Sequence, residues 1–304
     1  MKNQNWYRSY RLFKLQCVRE LVKLFKKMGM VALLLAAAAP ARVALAADDG
    51  DSKAQFTVGL KVWNSSWLSY NPNVYSGVGP DGQFSLADSV DAVEGGTRTD
   101  AIPVIGVRKG NMVFSFTHAS YATDFHTPRS SVIGPGGQNI TTSRTDHLAR
   151  KETDLVAAYF VLPNIALSAG LKHASESRDS STGLSARTRF LNAKGKAILI
   201  GALATFPIKH GLNAYGQLGY GPTRLTTTLP DGSGSDTSNG RYLSSELGVS
   251  YALQMADPFV KGLFVGLGYR SQTIRTPGIA AAYGDARDYR DVKDGVVFSV
   301  TVAL

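Results

Sequence analysis

Two His-x-Ser triplets carry residue types that could do chemistry, His118-Ala119-Ser120 and His173-Ala174-Ser175. Residues two apart on an extended strand share a face, so each imidazole can take the proton of its serine hydroxyl and make a nucleophile. Asp124-Phe125-His126 adds an acid and a base at the same spacing. A second set of groups is spread along the chain: Lys61, Lys172, Glu246, Arg270, Asp291 and Lys293, each inside a stretch where apolar residues alternate with small or polar ones. No phosphate-cradling glycine loop and no clustered metal-ligand pattern occurs, so no cofactor or metal is expected.

The elements that must position these groups are strands. The plainest is the last, Asp294 to Leu304. Val296, Phe298, Val300, Val302 and Leu304 share one parity, and Val297, Ser299, Thr301 and Ala303 share the other. One face is oily and the other small and mildly polar. This segment resembles the C-terminal assembly signal of Gram-negative outer-membrane β-barrels, a Gly followed by alternating apolar residues up to a terminal aromatic. Gly295, Phe298, Val300, Val302 and Leu304 are the matching positions, with Leu304 where the aromatic stands. The resemblance implies an outer-membrane location, lipid and lipopolysaccharide as surroundings, and the barrel-assembly machinery as a partner.

The start of the chain fits export. A basic stretch from Arg8 to Lys27 precedes the apolar run Met28–Leu35, an alanine run and the small-x-small signal Ala44-Leu45-Ala46. We read residues 1–46 as a signal peptide and 47–304 as the mature barrel. The formal charge of the whole chain is +10, from 33 Lys+Arg and 23 Asp+Glu. The leader holds nine of the bases and one of the acids, leaving 24 against 22 and a net of +2, so no nucleic-acid partner is expected. The single cysteine, Cys17, lies in the leader, and the mature part has no disulfide.

Four short breaks divide the mature part: Lys109-Gly110-Asn111, Leu162-Pro163-Asn164, Lys209-His210-Gly211 and Ala256-Asp257-Pro258. The intervals Pro163–His210, His210–Asp257 and Asp257–Leu304 are each 47 residues. Long polar connections near 66–100, 123–148, 176–187, 223–241 and 275–288 alternate with the breaks. In a membrane barrel one rim takes tight turns and the other long loops. The expected fold is all-β, a closed antiparallel transmembrane barrel of about ten strands, with eight or twelve as alternatives. The strands are placed at 55–66, 100–109, 111–122, 149–162, 164–176, 187–208, 211–223, 241–255, 258–274 and 288–304.

Parity then separates wall from lumen. Phe56, Val58, Leu60 and Val62 face out in the first strand, Leu167 and Leu171 in the fifth, Leu247 and Val249 in the eighth, Val265 and Leu267 in the ninth. The opposite parity places Lys61, Lys172, Glu246, Arg270, Asp291 and Lys293 in the lumen beside Trp63, Tyr215 and Phe264. The strands at 149–162 and 187–208 are apolar on both parities, which leaves their registers open. The lumen charges fit an internal salt-bridge plug, or a narrow, slightly cation-rich constriction for small polar or anionic solutes.

The His-x-Ser triplets are similar to those of outer-membrane phospholipases and lipid A deacylases, which follow the serine with Asn where this chain has Tyr121 and Glu176. That resemblance implies lipid hydrolysis by His118 and Ser120. Asp124-Phe125-His126 resembles the Asp-x-His half of omptin proteases, without a matching Asp-x-Asp. The outer connections carry Tyr70, Tyr75, Phe84, Arg129, Arg144, Tyr283, Arg287 and Tyr289, residue types that anchor protein or glycan partners. The leading expectation is a narrow passive pore or small-solute transporter without enzyme activity. A plugged barrel acting as an adhesin or surface-interaction protein is the alternative, and a lipid-acting hydrolase is third.

Overall fold

A computed structural model describes residues 54–70, 75–78, 84–86, 92–133, 137–182, 185–228, 230, 232, 234–255, 259–276 and 289–304. The leader, the break Ala256-Asp257-Pro258, Tyr283 and Arg287 lie outside the described residues. Among the described residues, twelve strands occur in chain order: β1 (Gln55–Tyr70), β2 (Tyr75–Val78), β3 (Phe84–Leu86), β4 (Ala92–Lys109), β5 (Met112–Ile133), β6 (Asn139–Leu162), β7 (Ile165–Thr182), β8 (Ser185–Lys209), β9 (Leu212–Thr228), β10 (Ser235–Gln254), β11 (Gly262–Thr276) and β12 (Tyr289–Ala303). Ten of them close a barrel in which β1 pairs antiparallel with both β4 and β12, while β2 and β3 pair with each other. The expected ten-strand closed barrel is therefore the fold.

Closure follows from the register of the final strand. Val58 lies opposite Val302, Leu60 opposite Val300 and Val62 opposite Phe298, so the oily parities of β1 and β12 form one outer surface. The Leu304 N–H donates to Phe56 O at 2.8 Å and locks the seam. At Gly295 the β1 backbone leaves no room for a side chain. A Cβ there would lie 2.0 Å from Asn64 O and 2.6 Å from Ser65 Cα, which only glycine avoids.

The turns at the short-loop rim have a local cause. His210 and Gly211 both have positive φ, 48° and 83°, the conformation whose twist suits a two-residue hairpin. Pro103 sits in β4 with its side chain outward, opposite Leu60. It has no N–H to donate, and the β4–β5 ladder is broken between Gly95 and Val104.

The strands run well past the expected ends at the long-loop rim. Residues 123–148, expected as a loop, are mostly strand: β5 continues to Ile133 and β6 starts at Asn139. The 176–187 and 223–241 connections shrink likewise, since β7 reaches Thr182 and β9 pairs Thr226 with Thr237. These extensions are mostly polar, with only isolated apolar residues such as Phe125 and Leu148 turned inward, so they lack the sustained alternation that marks a half-buried strand, yet their backbones still pair.

Outside, the barrel wears an apolar belt. Phe56, Leu60, Ile105, Phe116, Leu155, Leu171, Ile198, Ile200 and Leu247 are all exposed. Inside, Trp63, Trp67, Ile102 and Val297 are each no more than 2% exposed. The two open registers resolve with Arg150, Glu152 and Ala158 of β6, and Ala193 and Ala197 of β8, pointing inward.

Candidate functional site

The lumen is crossed by side chains from strands that are not neighbours. In the lower of the packed layers, Lys61 on β1 reaches Glu246 on β10, with Nζ 2.9 and 2.8 Å from the two carboxylate oxygens. The Tyr215 hydroxyl donates to the same carboxylate at 3.2 Å, and Arg270 Nη1 stands 3.9 Å from it. Arg270 also lies over the Trp63 ring at 5.0 Å, a cation–π contact that removes both groups from water.

Higher up, Lys293 on β12 donates to Asp100 on β4 at 2.7 Å and packs over the rings of Tyr121 and Trp63, at 3.3 and 4.6 Å. Lys172 on β7 stands 2.7 Å from both Glu152 and Asp154 of β6. Arg150 holds Glu176 through Nε at 2.8 Å and crosses to Asp291 at 3.0 Å, with its guanidinium over Trp67 at 4.3 Å. Arg178 takes the other oxygen of Glu176 at 2.5 Å. Trp63 meets Tyr121, and Trp67 meets Phe125, both edge-on at 6.0 Å.

Charge balance follows from these partners. Lys61, Arg150, Lys172, Arg178, Arg270 and Lys293 face Asp100, Glu152, Asp154, Glu176, Glu246 and Asp291. Among the described residues, these six cations stand against six carboxylates, so the paired set is balanced. Isolated charges in this interior would be strongly penalised, whereas paired ones with satisfied hydrogen bonds are tolerated.

All six lumen residues picked from the sequence point inward, but they do not meet as one set. Lys61, Glu246 and Arg270 come together, while Lys172, Asp291 and Lys293 each pair with a residue the sequence reading missed. Glu176 shares the parity of Lys172 on β7, and that spacing could have found it. Arg150, Glu152 and Asp154 alternate with Lys151 and Thr153, a charged parity hidden by the apolar residues further along β6. Of the assembly-signal positions, Phe298, Val300 and Val302 line the outer seam, and Gly295 lies inward opposite Arg270.

Above the packed layers opens a vestibule of about 850 Å³, lined among others by Arg98, Asp100, Tyr121, Arg150 and Glu176. Below it lies a small cavity of about 30 Å³ whose lining includes Lys172, Glu176, Thr223 and Tyr242. The vestibule has the size of a small-molecule site, whereas the lower cavity holds little more than one water.

The residues singled out for nucleophilic chemistry lie on the outer face. His118 Nδ1 is 3.0 Å from the Thr153 hydroxyl, and His173 and Ser120 are exposed. Asp124 and His126 do not pair with each other. Asp124 bonds His147 at 2.7 Å, and His126 bonds Thr145 at 3.0 Å. Among the described residues, no group of three or more His, Cys, Asp or Glu is placed to hold a metal.

No protein-family model matches the chain, and no curated protein matches it. Solved structures of similar shape include the outer membrane protease OmpT of Escherichia coli, 10% identical over 87% of this chain and 99% of that one, with a TM-score of 0.44. The Pseudomonas putida toluene transporter TodX is 9% identical over 85% and 91% of the two chains, with a TM-score of 0.32. The outer membrane protein OprG of Pseudomonas aeruginosa is 13% identical over 84% and 98%, also with a TM-score of 0.32.

Proposed function

We propose that the mature chain is an integral β-barrel of a bacterial outer membrane, delivered by its N-terminal signal, whose lumen is stoppered and which works from its outer surface. The apolar belt supports the membrane reading. A belt of exposed Phe, Leu and Ile around a closed barrel suits hydrocarbon, which accepts no open strand edge, and is far larger than the patches soluble proteins expose.

The observation that carries the closed reading is the burial at mid-height. Trp63 and Val297 are 0% exposed, and Glu152, Asp291 and Lys293 are no more than 5% exposed although all three are charged. A water-filled pore would leave such side chains wet. A ten-strand barrel is little wider than the eight-strand kind that side chains fill, and here two tryptophans and two tyrosines occupy the centre. This favours the surface-interaction class over the passive pore.

The exterior above the belt supports anionic lipid or lipopolysaccharide as the setting. Lys151, Lys194, Lys196, Arg224 and Arg241 are exposed there, and Lys196 lies directly opposite Arg224. Two like charges facing one another across a strand pair repel unless an anion bridges them.

Liposome swelling tests the reading. Vesicles carrying the refolded protein should swell in small sugars no faster than empty vesicles, and fast, size-dependent swelling would restore the pore.

A further inference from the structure

The stopper makes no use of a group of side chains on the outer face. Asp124 on β5, His147 on β6 and Ser181 on β7 form a chain of hydrogen bonds across three adjacent strands. His147 Nδ1 is 2.7 Å from Asp124 Oδ1, and Nε2 is 3.2 Å from Ser181 Oγ. A carboxylate can only accept, so the ring proton belongs on Nδ1 and the Nε2 lone pair is left to face the serine hydroxyl. A nucleophile is thus bonded to a base, and the base to an orienting acid.

The register builds this arrangement. Asp124 lies opposite His147, His147 opposite Asp179, and Asp179 opposite Arg189. Ser181 is two residues beyond Asp179 on the same face. A shift in the β7–β8 register between Arg178 and Asp179 brings Arg189 into this row. Arg189 and Arg187 both hydrogen-bond Asp179, whose carboxyl is held below its usual range, chiefly by the Arg189 bond. The two guanidiniums outnumber the single Asp179 carboxylate they hold, which leaves net positive charge on the face that carries Ser181.

We propose that Asp124, His147 and Ser181 form an esterase site on the exterior of the barrel, acting on carboxylic esters with a short acyl group. The proposal goes beyond the stoppered-barrel reading and does not depend on the lumen being closed. His147 lies 15 residues from Leu162 at the short-turn end of β6, where a span needs about 9–11, so the site stands on the order of 10 Å above the belt, on the aqueous side. The outward residues around it include Ala122, Thr145, Ala149 and Ser177, which offer no slot for a long acyl chain.

The chemistry balances without a further reactant. Ser181 Oγ bonds the ester carbonyl carbon as its proton passes to His147 Nε2. The carbon–oxygen bond to the alcohol breaks, and the alcohol leaves with that proton. Water then adds to the acyl carbon, giving its proton to Nε2. The Oγ–carbon bond breaks, the acid departs, and the proton returns to Oγ. Ser181 and His147 touch the reacting atoms, whereas Asp124 is a positioning residue.

The test uses the full mature chain refolded in detergent, a fluorescent fluorophosphonate, and mass spectrometry of the labelled peptide. Each variant is first shown folded by its β-sheet circular dichroism. The expected result is one label per chain, on Ser181. It should be absent in Ser181→Ala, at least a hundredfold slower in His147→Gln, and unchanged in Ser120→Ala. Asp124→Asn should slow labelling by tenfold or more, and Asp124→Glu should recover most of the rate, which a purely structural aspartate would not do. A folded wild type that takes no label overturns the proposal. So does a label on Ser120 or elsewhere, or labelling of His147→Gln at the wild-type rate.

Discussion

Arg150 Nη2 stands 3.0 Å from Asp291 Oδ2, although the two residues are 141 apart in sequence and belong to strands that do not pair. The contact spans the lumen, and both side chains are no more than 8% exposed. It joins β12 to β6 through the interior, so the wall is braced across as well as around.

Breaking that brace from one side should be costly. Asp291→Asn leaves Arg150 buried with less charge to oppose it, and loss of one partner of a buried pair typically costs about 3–5 kcal/mol. Glu176 also holds Arg150, so the expected loss is at the lower end of that range. Urea titration of the barrel in lipid vesicles, followed by tryptophan fluorescence, measures it. An unchanged midpoint would mean that the pair contributes nothing.

Gly295→Ala should damage assembly more than its single methyl suggests. The added Cβ would press on Asn64 O across the β1–β12 seam, and the obstacle is backbone rather than a movable side chain. Folding yield into vesicles should fall severalfold, whereas Ser299→Ala on the same strand should fold like the wild type. Equal yields for both would show that the seam has slack.

The mature part has no cysteine, so single thiols can report water access. Val297→Cys should resist a charged, water-soluble maleimide in the folded barrel, and Lys151→Cys should react at once. Fast labelling at position 297 would reveal water in the stopper.

Lys196 and Arg224 should bind anionic headgroups together. Replacing both with Gln should abolish the gain in thermal stability that added lipopolysaccharide gives the wild type, while leaving stability in neutral detergent unchanged or slightly higher. A double variant that still gains as much as the wild type would remove these two residues from lipid binding.

The wall was legible in the sequence because hydrocarbon outside and polar groups inside impose a period of two. Strands such as β1, β7, β10 and β11 kept that period, and Leu60, Leu171, Leu247 and Leu267 could be assigned outward from it. Part of the stopper was legible for the same reason. Arg150 and Glu152 were not, because the apolar end of β6 hides its parity. The row of Asp124, His147 and Asp179 was out of reach for a different reason. These residues belong to mostly polar strand extensions with no sustained alternation, where only the hydrogen-bonded register says which residue lies opposite which.

Single-channel recording in planar bilayers tests the stoppered barrel most directly. The wild type should insert and stay electrically silent, and the double variant Trp63→Ala, Trp67→Ala should show discrete openings, since it empties the centre of the lumen. Steady, voltage-independent conductance from the wild type would contradict the account.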